Sequence, residues 1–211
     1  MVLDGKRNKA DFILDPAARA LIKVNPNTIS LISLLLASLA GALIFLAYDN
    51  LTGLLLPLAA AIVLISGFLD ALDGKIARLS GKAGRRGDFV DHVIDRYADV
   101  IMIGAVAVSA WCNPYLGMMA LIGVLLTSYM GTQAQAVGAG RHYAGLLGRA
   151  DRLVLMVAAC LVQWVLFLFG VVWIELSFVS FTVFEVMMLW FAVVGNLTAI
   201  QRAYGTWKFL K

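Results

Sequence analysis

The fold of this sequence is decided by two acidic stretches, DALDGKIAR at residues 70–78 and GDFVDHVID at residues 87–95. Asp70 and Asp73 are three residues apart, and Asp91 and Asp95 are four apart, so on helices each pair shares one face. The first pair ends a long apolar run and the second pair begins the next. A turn between two such helices would bring four carboxylates together just inside the edge of a membrane.

The composition around these stretches is that of a membrane protein. The chain has 211 residues, of which 62% are hydrophobic and 14% are charged, and its mean hydropathy is +0.88. A soluble domain carries about a quarter charged residues. We therefore predict one membrane domain over residues 1–211, without room for a separate soluble catalytic module. Cys112 and Cys160 lack metal-ligand spacing and are interpreted as small buried hydrophobic residues.

Six apolar stretches are long enough to cross a hydrocarbon core of about 30 Å as helices. Polar or turn-rich residues separate them. The predicted fold class is an all-α integral membrane protein with six transmembrane helices. The predicted spans cover residues 28–47, 53–72, 89–111, 115–137, 152–172 and 178–201.

The basic residues are segregated along the chain. All 17 lysines and arginines lie at the two termini, between the second and third spans, between the fourth and fifth, or at adjoining span ends. The other connections contain none. By the positive-inside rule, both termini and the acidic stretches face the cytoplasm of a multi-pass protein in the cell membrane. The net charge of +4 is accounted for by this distribution, so a nucleic-acid partner is not expected.

A further amphipathic segment precedes the first span. Residues 12–24 mix apolar and charged side chains, and Asp15-Pro16 is a plausible helix start because proline is favoured at the first helical position. We predict an interfacial helix on the cytoplasmic leaflet. A solvated tail is the alternative.

The chemistry of the acidic stretches points to divalent cations. Four like charges in a partly desolvated place repel each other, and cations neutralise them. Oxygen-only ligands favour magnesium, manganese or calcium over zinc. Two metals held by shared carboxylates commonly promote displacement at phosphorus. Gly74 and Gly87 leave space for a nucleotide, and Arg78 supplies a positive charge for a phosphate.

The spacing of the two stretches resembles the signature of the CDP-alcohol phosphotransferase family. The pattern is D, two residues, DG, two residues, AR, eight residues, G, three residues, D, three residues, D. The signature residues here are Asp70, Asp73, Gly74, Ala77, Arg78, Gly87, Asp91 and Asp95. The resemblance implies six membrane helices, an amphipathic N-terminal helix, cytoplasmic catalysis and a homodimer.

The resemblance also implies roles for individual residues. Asp70, Asp73 and Asp91 would be metal ligands in a two-metal site for Mg²⁺ or Mn²⁺. Asp95 would be both a fourth ligand and the general base. The base would take the proton of an alcohol that attacks the phosphate next to the lipid and expels CMP. The residues implied to bind the CDP-lipid are Asn25, Pro26, Asn27, Thr28, Gly74, Arg78, Gly84 and Gly87.

The acceptor alcohol is less closely defined by the sequence. Four residues, Ser128, Arg149, Arg152 and Arg202, lie in segments that resemble the inositol-phosphate-using branch, where basic residues bind the acceptor's phosphate. Gly131 stands where that branch carries a lysine. The surrounding sequence looks archaeal, so the expected reaction is synthesis of archaetidylinositol phosphate, with glycerol phosphate as the alternative acceptor. Arginines that contact lipid headgroups are the other interpretation of these basic residues.

A membrane transporter is the alternative from a different functional class. It would place carboxylates near the bilayer midplane, between discontinuous helices. In this sequence the acidic pairs lie at span ends, which favours an enzyme.

Overall fold

The computed structural model describes residues 7–49, 53–140, 145 and 147–210, and within them the chain forms seven helices and one β-hairpin. The elements in chain order are α1 (Arg7–Ala20), α2 (Pro26–Ala47), α3 (Leu55–Leu79), α4 (Arg85–Val108), α5 (Pro114–Ala136), α6 (Arg149–Leu168), β1 (Ile174–Leu176), β2 (Val179–Phe181) and α7 (Val183–Phe209).

Two of the long helices begin at the same local motif, an asparagine followed by proline. Asn25 Oδ1 accepts a hydrogen bond from Asn27 N at 3.1 Å, and Pro26 is the first residue of α2. Asn113 caps α5 in the same way. The asparagine satisfies a free N–H group of the first turn, and proline loses nothing there because its missing N–H would have no partner in the helix.

The six helices from α2 to α7 overlap the six predicted spans in order, with different ends. Within the described residues, all of them except α4 are long and apolar enough to cross a membrane. In α4 the charged residues between Arg85 and Asp99 lower the hydropathy of the first half. The mostly helical, multi-pass class is therefore confirmed, and a full crossing by α4 stays a prediction.

The signature stretches lie deeper inside helices than predicted. The second span was predicted to end at residue 72, but α3 continues to Leu79, and α4 already begins at Arg85. Only a short turn separates them. Gly81 has φ +68 there, a left-handed conformation that favours glycine, and the N–H groups of Ser80 and Lys82 bond back to α3 carbonyls. This tight turn brings the end of α3 next to the start of α4.

The predicted bounds of the N-terminal helix were wrong. The helix α1 runs from Arg7 to Ala20, with Pro16 inside it rather than at its start. Tertiary contacts outweigh the hydrogen bond that the proline removes. Lys75 Nζ lies 2.8 Å from Asp11 Oδ1 and 2.6 Å from Asp15 Oδ1, and both pairs tie α1 to α3. Leu14, Ala18, Ile29, Leu72 and Ile76 form a small apolar core beneath α1.

The start of the last predicted span, residue 178, was also wrong. Residues 174–181 form an antiparallel hairpin in which Glu175 pairs with Ser180, and α7 begins only at Val183. Each strand alternates apolar and polar residues, Ile-Glu-Leu and Val-Ser-Phe, which suits a strand, but the overall hydrophobicity of the segment did not distinguish a strand from a helix. Thr182 Oγ1 caps α7 by accepting a hydrogen bond from Glu185 N at 3.1 Å.

Small residues allow the helices to pack closely. A Cβ added to Gly195 in α7 would lie 2.9 Å from the Gly123 carbonyl carbon in α5, so the two backbones nearly touch. At the end of the bundle away from the turn between α3 and α4, which we call the signature turn, buried Trp111 donates a hydrogen bond from Nε1 to Ile44 O at 2.9 Å. That end is closed by packing, whereas the end with the signature turn holds a cavity.

Candidate active site

Three of the four predicted metal ligands come together at the signature end of the bundle. Carboxylate oxygens of Asp70, on α3, and of Asp91 and Asp95, on α4, all lie within 4.8 Å of one another. Asp91 and Asp95 are one helical turn apart on the same face, and the short α3–α4 turn sets Asp70 opposite them. These three side chains are called the three-carboxylate group below.

Asp73 lies apart from that group, one turn beyond Asp70 on α3. Its side chain is buried, and Oδ2 accepts a hydrogen bond from Ser30 Oγ on α2. Ser30 also contacts Pro26 O at 3.2 Å, so the start of α2 and the signature aspartate are linked through one hydroxyl. The sequence reasoning missed Ser30, because nothing in the pattern shows which residue of α2 faces Asp73.

The donor set of the three-carboxylate group fits a hard divalent cation. Each residue is only partly buried, so an ion could reach it, and all available donor atoms are carboxylate oxygens. Three negative charges this close repel each other in a partly desolvated site, and a divalent cation would offset that repulsion.

Arg149 is a cationic side chain in direct contact with these carboxylates. Its Nη1 lies 2.6 Å from Asp70 Oδ1 and also contacts Asp95 Oδ1. Arg149 is the first residue of α6, whose start is fixed by a hydrogen bond of 2.9 Å from Gly148 N to Asp151 Oδ2. The sequence placed Arg149 at the acceptor's phosphate, and the structure places it beside the predicted general base.

Arg152, the second predicted phosphate ligand, lies deeper in the bundle. Its Nη2 is 2.6 Å from Asp99 Oδ2, and both side chains are almost fully buried. Arg96 Nη1 is 3.4 Å from the same Asp99 oxygen, and Arg96 Nη2 is 3.6 Å from Asp95 Oδ2. Arg152 therefore contacts a buried carboxylate of α4.

Arg202 and Ser128 lie where α5 meets α7. Buried Arg202 donates from Nη1 to Thr127 O at 2.6 Å, next to Ser128 in sequence. A Cβ added to Gly131 would be only 3.3 Å from that same nitrogen. Gly131, the departure noted in the sequence, thus leaves the space that the Arg202 guanidinium occupies. In the contacts given above, each of the three predicted phosphate-binding arginines has different partners.

A cavity of about 330 Å³ adjoins the three-carboxylate group. All the residues predicted to bind a CDP-lipid line it except Thr28, which is exposed on α2. Those residues are Asn25, Pro26, Asn27, Gly74, Arg78, Gly84 and Gly87. We call this space the signature cavity.

Two cations at the signature cavity were missed as site residues. Lys82 and Arg86 line it together with Arg78. In the sequence they were counted only toward the orientation of the chain in the membrane. Their position within two residues of Gly84 was the available signal.

The cavity glycines are not required by packing. A Cβ added to Gly84 or Gly87 would meet no other atom within 4 Å, in contrast to Gly195 at the helix crossing. Side chains at these two positions would project into open space beside the cavity. Their absence keeps the backbone accessible to a bound molecule.

A family model and a relative of known name both match most of this chain. The model of the CDP-alcohol phosphatidyltransferase family matches residues 23–197. The chain is 28% identical to archaetidylinositol phosphate synthase of Pyrococcus horikoshii over 192 residues, which cover 91% of this chain and 88% of that protein.

Solved structures show the same likeness. The chain superposes on Mycobacterium tuberculosis phosphatidylinositol phosphate synthase with CDP-DAG bound at a TM-score of 0.70 and 26% identity, covering 92% of this chain and 94% of that one. The same enzyme in complex with manganese and citrate gives a TM-score of 0.69 and 25% identity, with 92% and 88% covered.

Proposed function

Because this chain belongs to the CDP-alcohol phosphatidyltransferase family, we propose that it joins a CDP-activated lipid to a phosphorylated polyol, inositol phosphate, and releases CMP. One observation carries this proposal. Asp91 belongs both to the three-carboxylate group and to the lining of the signature cavity, so a nucleotide in the cavity would meet the carboxylates directly. The family assignment sets aside the transporter alternative.

The reaction is a displacement at phosphorus. The acceptor's hydroxyl oxygen forms a bond to the phosphorus next to the lipid, and the bond from that phosphorus to the oxygen of CMP breaks. CMP leaves with the electron pair. Asp95 takes the hydroxyl proton as general base. Arg78, Lys82 and Arg86 at the cavity would attract the diphosphate.

Asp70, Asp91 and Asp95 would hold a divalent cation, with Asp73 as a fourth ligand from the neighbouring turn of α3. When bound, such a cation would neutralise charge on the phosphate oxygens and on the leaving group. Mg²⁺ or Mn²⁺ is the expected identity, and the manganese complex of the mycobacterial enzyme supports it. A second cation at the same carboxylates is part of the proposal.

Arg149 supports a phosphorylated acceptor. Its guanidinium contacts the carboxylate of Asp95, so an acceptor hydroxyl at that base would have its own phosphate near a fixed positive charge. The name of the Pyrococcus relative, archaetidylinositol phosphate synthase, supports inositol phosphate as the alcohol and an ether-linked archaeal lipid. Glycerol phosphate would satisfy the same arginine and is therefore an outcome of the test below.

The membrane setting is proposed from the charge distribution. The arginines and lysines near the signature turn indicate that the active site and both termini face the cytoplasm of the cell membrane. A homodimer is proposed by analogy with the family.

An acceptor panel tests the function. The purified protein in detergent is given CDP-lipid in ester and ether forms, with Mg²⁺ or with a chelator, and CMP release is measured. Inositol phosphate, glycerol phosphate, free inositol and serine are offered separately. We expect release that needs both Mg²⁺ and inositol phosphate. Preference for free inositol or serine would contradict the phosphorylated acceptor, and preference for glycerol phosphate would replace inositol phosphate.

A further inference from the structure

Two ion pairs connect α4 to α6, one helical turn apart. Asp95 and Asp99 are four residues apart on α4, so the two aspartates share one face of that helix. Arg149 and Arg152 are three residues apart on α6, so the two arginines share one face of α6. The outer ion pair joins Asp95 to Arg149 within the candidate active site. The inner ion pair joins Asp99 to Arg152, with 2.6 Å between Oδ2 and Nη2.

The inner ion pair is almost completely withdrawn from solvent. The side chains of Asp99 and Arg152 are 2% and 5% exposed. Moving two charges out of water carries a desolvation cost that their attraction does little more than offset, so stability alone is a weak reason for a buried ion pair. A fixed arrangement of the groups that the pair connects is a better reason.

The packing of α6 shows why such a connection matters. The helix packs closely against α3 and to a lesser degree against α7, while α4 packs against α2 and α5. Within the described residues, α4 and α6 therefore meet through long side chains more than through close backbone approach. Arg96 adds to this contact, since its guanidinium is 3.6 Å from Asp95 Oδ2 and 3.4 Å from Asp99 Oδ2.

We propose that Asp99 and Arg152 are positioning residues, whose buried ion pair sets the register of α6 against α4 so that Arg149 meets Asp95 in the active site. This assignment moves Arg152 from the acceptor's phosphate, where the sequence placed it, to the support beneath Arg149. It rests on the proposed transfer reaction for its kinetic consequences. Its effect on cation binding has a separate origin: α6 packs on α3, so the same register also sets Asp95 on α4 opposite Asp70 on α3.

The test compares variants that remove the ion pair in different ways. Asp99→Asn leaves the guanidinium without a charged partner, and the double variant Asp99→Asn/Arg152→Gln replaces the ion pair with two neutral groups that can bond to each other. Arg152→Lys keeps the charge but loses the planar guanidinium. Because Asp99→Asn risks misfolding, the double variant carries the test if the single variant fails to fold.

Gln163→Leu is the matched control. Gln163 is buried on the same helix, near its other end, where its side chain bonds to Val172 O and Val183 N at 3.0 and 2.9 Å. Its loss should lower the thermal midpoint without altering the active site.

Three quantities are measured well below the midpoint: Mn²⁺ affinity by electron paramagnetic resonance, kcat for CMP release, and KM for inositol phosphate. We expect the double variant to bind Mn²⁺ several-fold more weakly and to lose about ten- to a hundredfold in kcat, as for a misplacement of about 1 Å. Arg152→Lys should recover part of both losses, and Gln163→Leu should lower only the midpoint.

A folded double variant with wild-type kcat, KM and Mn²⁺ affinity would overturn the proposal. If the wild-type protein releases no CMP with any acceptor, the proposed function fails. The Mn²⁺ affinities would still decide whether the inner ion pair positions Asp95.

Discussion

Ser30 donates a hydrogen bond from Oγ to Oδ2 of Asp73, and this contact joins the first turns of α2 to the second aspartate of the signature. Both residues are buried. The serine fixes the orientation of a carboxylate that would otherwise rotate within its site. Residues that hold metal ligands in place in this way commonly affect affinity or activity about ten- to a hundredfold.

We therefore expect Ser30→Ala to reduce Mn²⁺ affinity or kcat by about ten- to a hundredfold. Ser33→Ala is the control, because Ser33 is equally buried on α2 and donates to Ser66 O at 2.9 Å, away from Asp73. It should lower stability by about 1 kcal/mol and leave Mn²⁺ binding unchanged. Equal effects of the two variants on Mn²⁺ binding would contradict a specific role for Ser30.

Arg149→Gln should strengthen the binding of Mn²⁺ and weaken the binding of inositol phosphate. The Arg149 guanidinium contacts Asp70 and Asp95. Its removal should tighten Mn²⁺ binding several-fold, because Mn²⁺ no longer competes with the guanidinium for these carboxylates. Loss of a charged partner for the acceptor's phosphate should raise KM for inositol phosphate roughly ten- to a hundredfold. Titration with Mn²⁺ and steady-state kinetics measure both. Lys208→Gln, an exposed residue at the end of α7, controls for net charge. Weaker Mn²⁺ binding in Arg149→Gln would show that the arginine supports the carboxylates rather than competing at them.

Asp95→Asn should lower kcat by about 10²- to 10⁴-fold, since the amide cannot accept the hydroxyl proton. The thermal midpoint and CDP-lipid binding should change little. Glu175→Gln in the β-hairpin is the control, because this acidic residue is exposed and is not part of the signature cavity or of the three-carboxylate group. Full CMP release by Asp95→Asn would remove the base assignment.

Gly87→Ala should stabilise the fold and impair substrate binding at once. Gly87 lies inside α4, where alanine is favoured over glycine by about 1 kcal/mol, and an added Cβ would meet no other atom within 4 Å. The methyl group would enter the space beside the signature cavity, so KM for the CDP-lipid should rise. Gly104→Ala, equally free of contacts on the same helix, should stabilise without a kinetic change. Unchanged KM in Gly87→Ala would argue against CDP-lipid binding at this wall of the cavity.

The orientation in the membrane can be mapped with single cysteines, because both native cysteines are buried and are not expected to react with the label. Cys112 and Cys160 are buried, and burial raises the pKa of the Cys112 thiol to about 12, so it stays protonated and unreactive at neutral pH. With an impermeant maleimide on intact cells, Phe178→Cys in the hairpin turn should be labelled. Lys208→Cys should be labelled only after permeabilisation. The reverse pattern would invert the predicted topology.

The sequence was a good guide wherever a short-range pattern carried the information. The spacing of Asp70, Asp91 and Asp95 predicted their convergence, because helical periodicity and one turn determine it. Asn25-Pro26 marked the start of α2 through local capping, and the burial of both cysteines followed from their apolar surroundings. These features depend on residues within one or two turns of each other.

Contacts between distant segments could not be predicted in this way. The inner ion pair joins residues 99 and 152, and Ser30 reaches Asp73 from another helix. A single sequence gives no register between helices, so Arg152 was placed with Arg149 and Arg202 by charge alone. Pro16 was taken as a helix start, because the anchoring of α1 by Lys75 depends on a residue far along the chain.

The attachment of α1 to α3 through Lys75 has a consequence for how the protein sits in a bilayer. Lys75 follows Gly74 directly, and Gly74 lines the signature cavity, so the ion pairs that attach α1 to α3 lie at the level of that cavity. Phe12 and Ile13 of α1 are exposed, as expected for a helix that lies among the lipid headgroups. An α1 held at the membrane surface would keep the signature cavity near the level of the lipid phosphates as bilayer thickness varies, because α1 is attached to α3 beside that cavity.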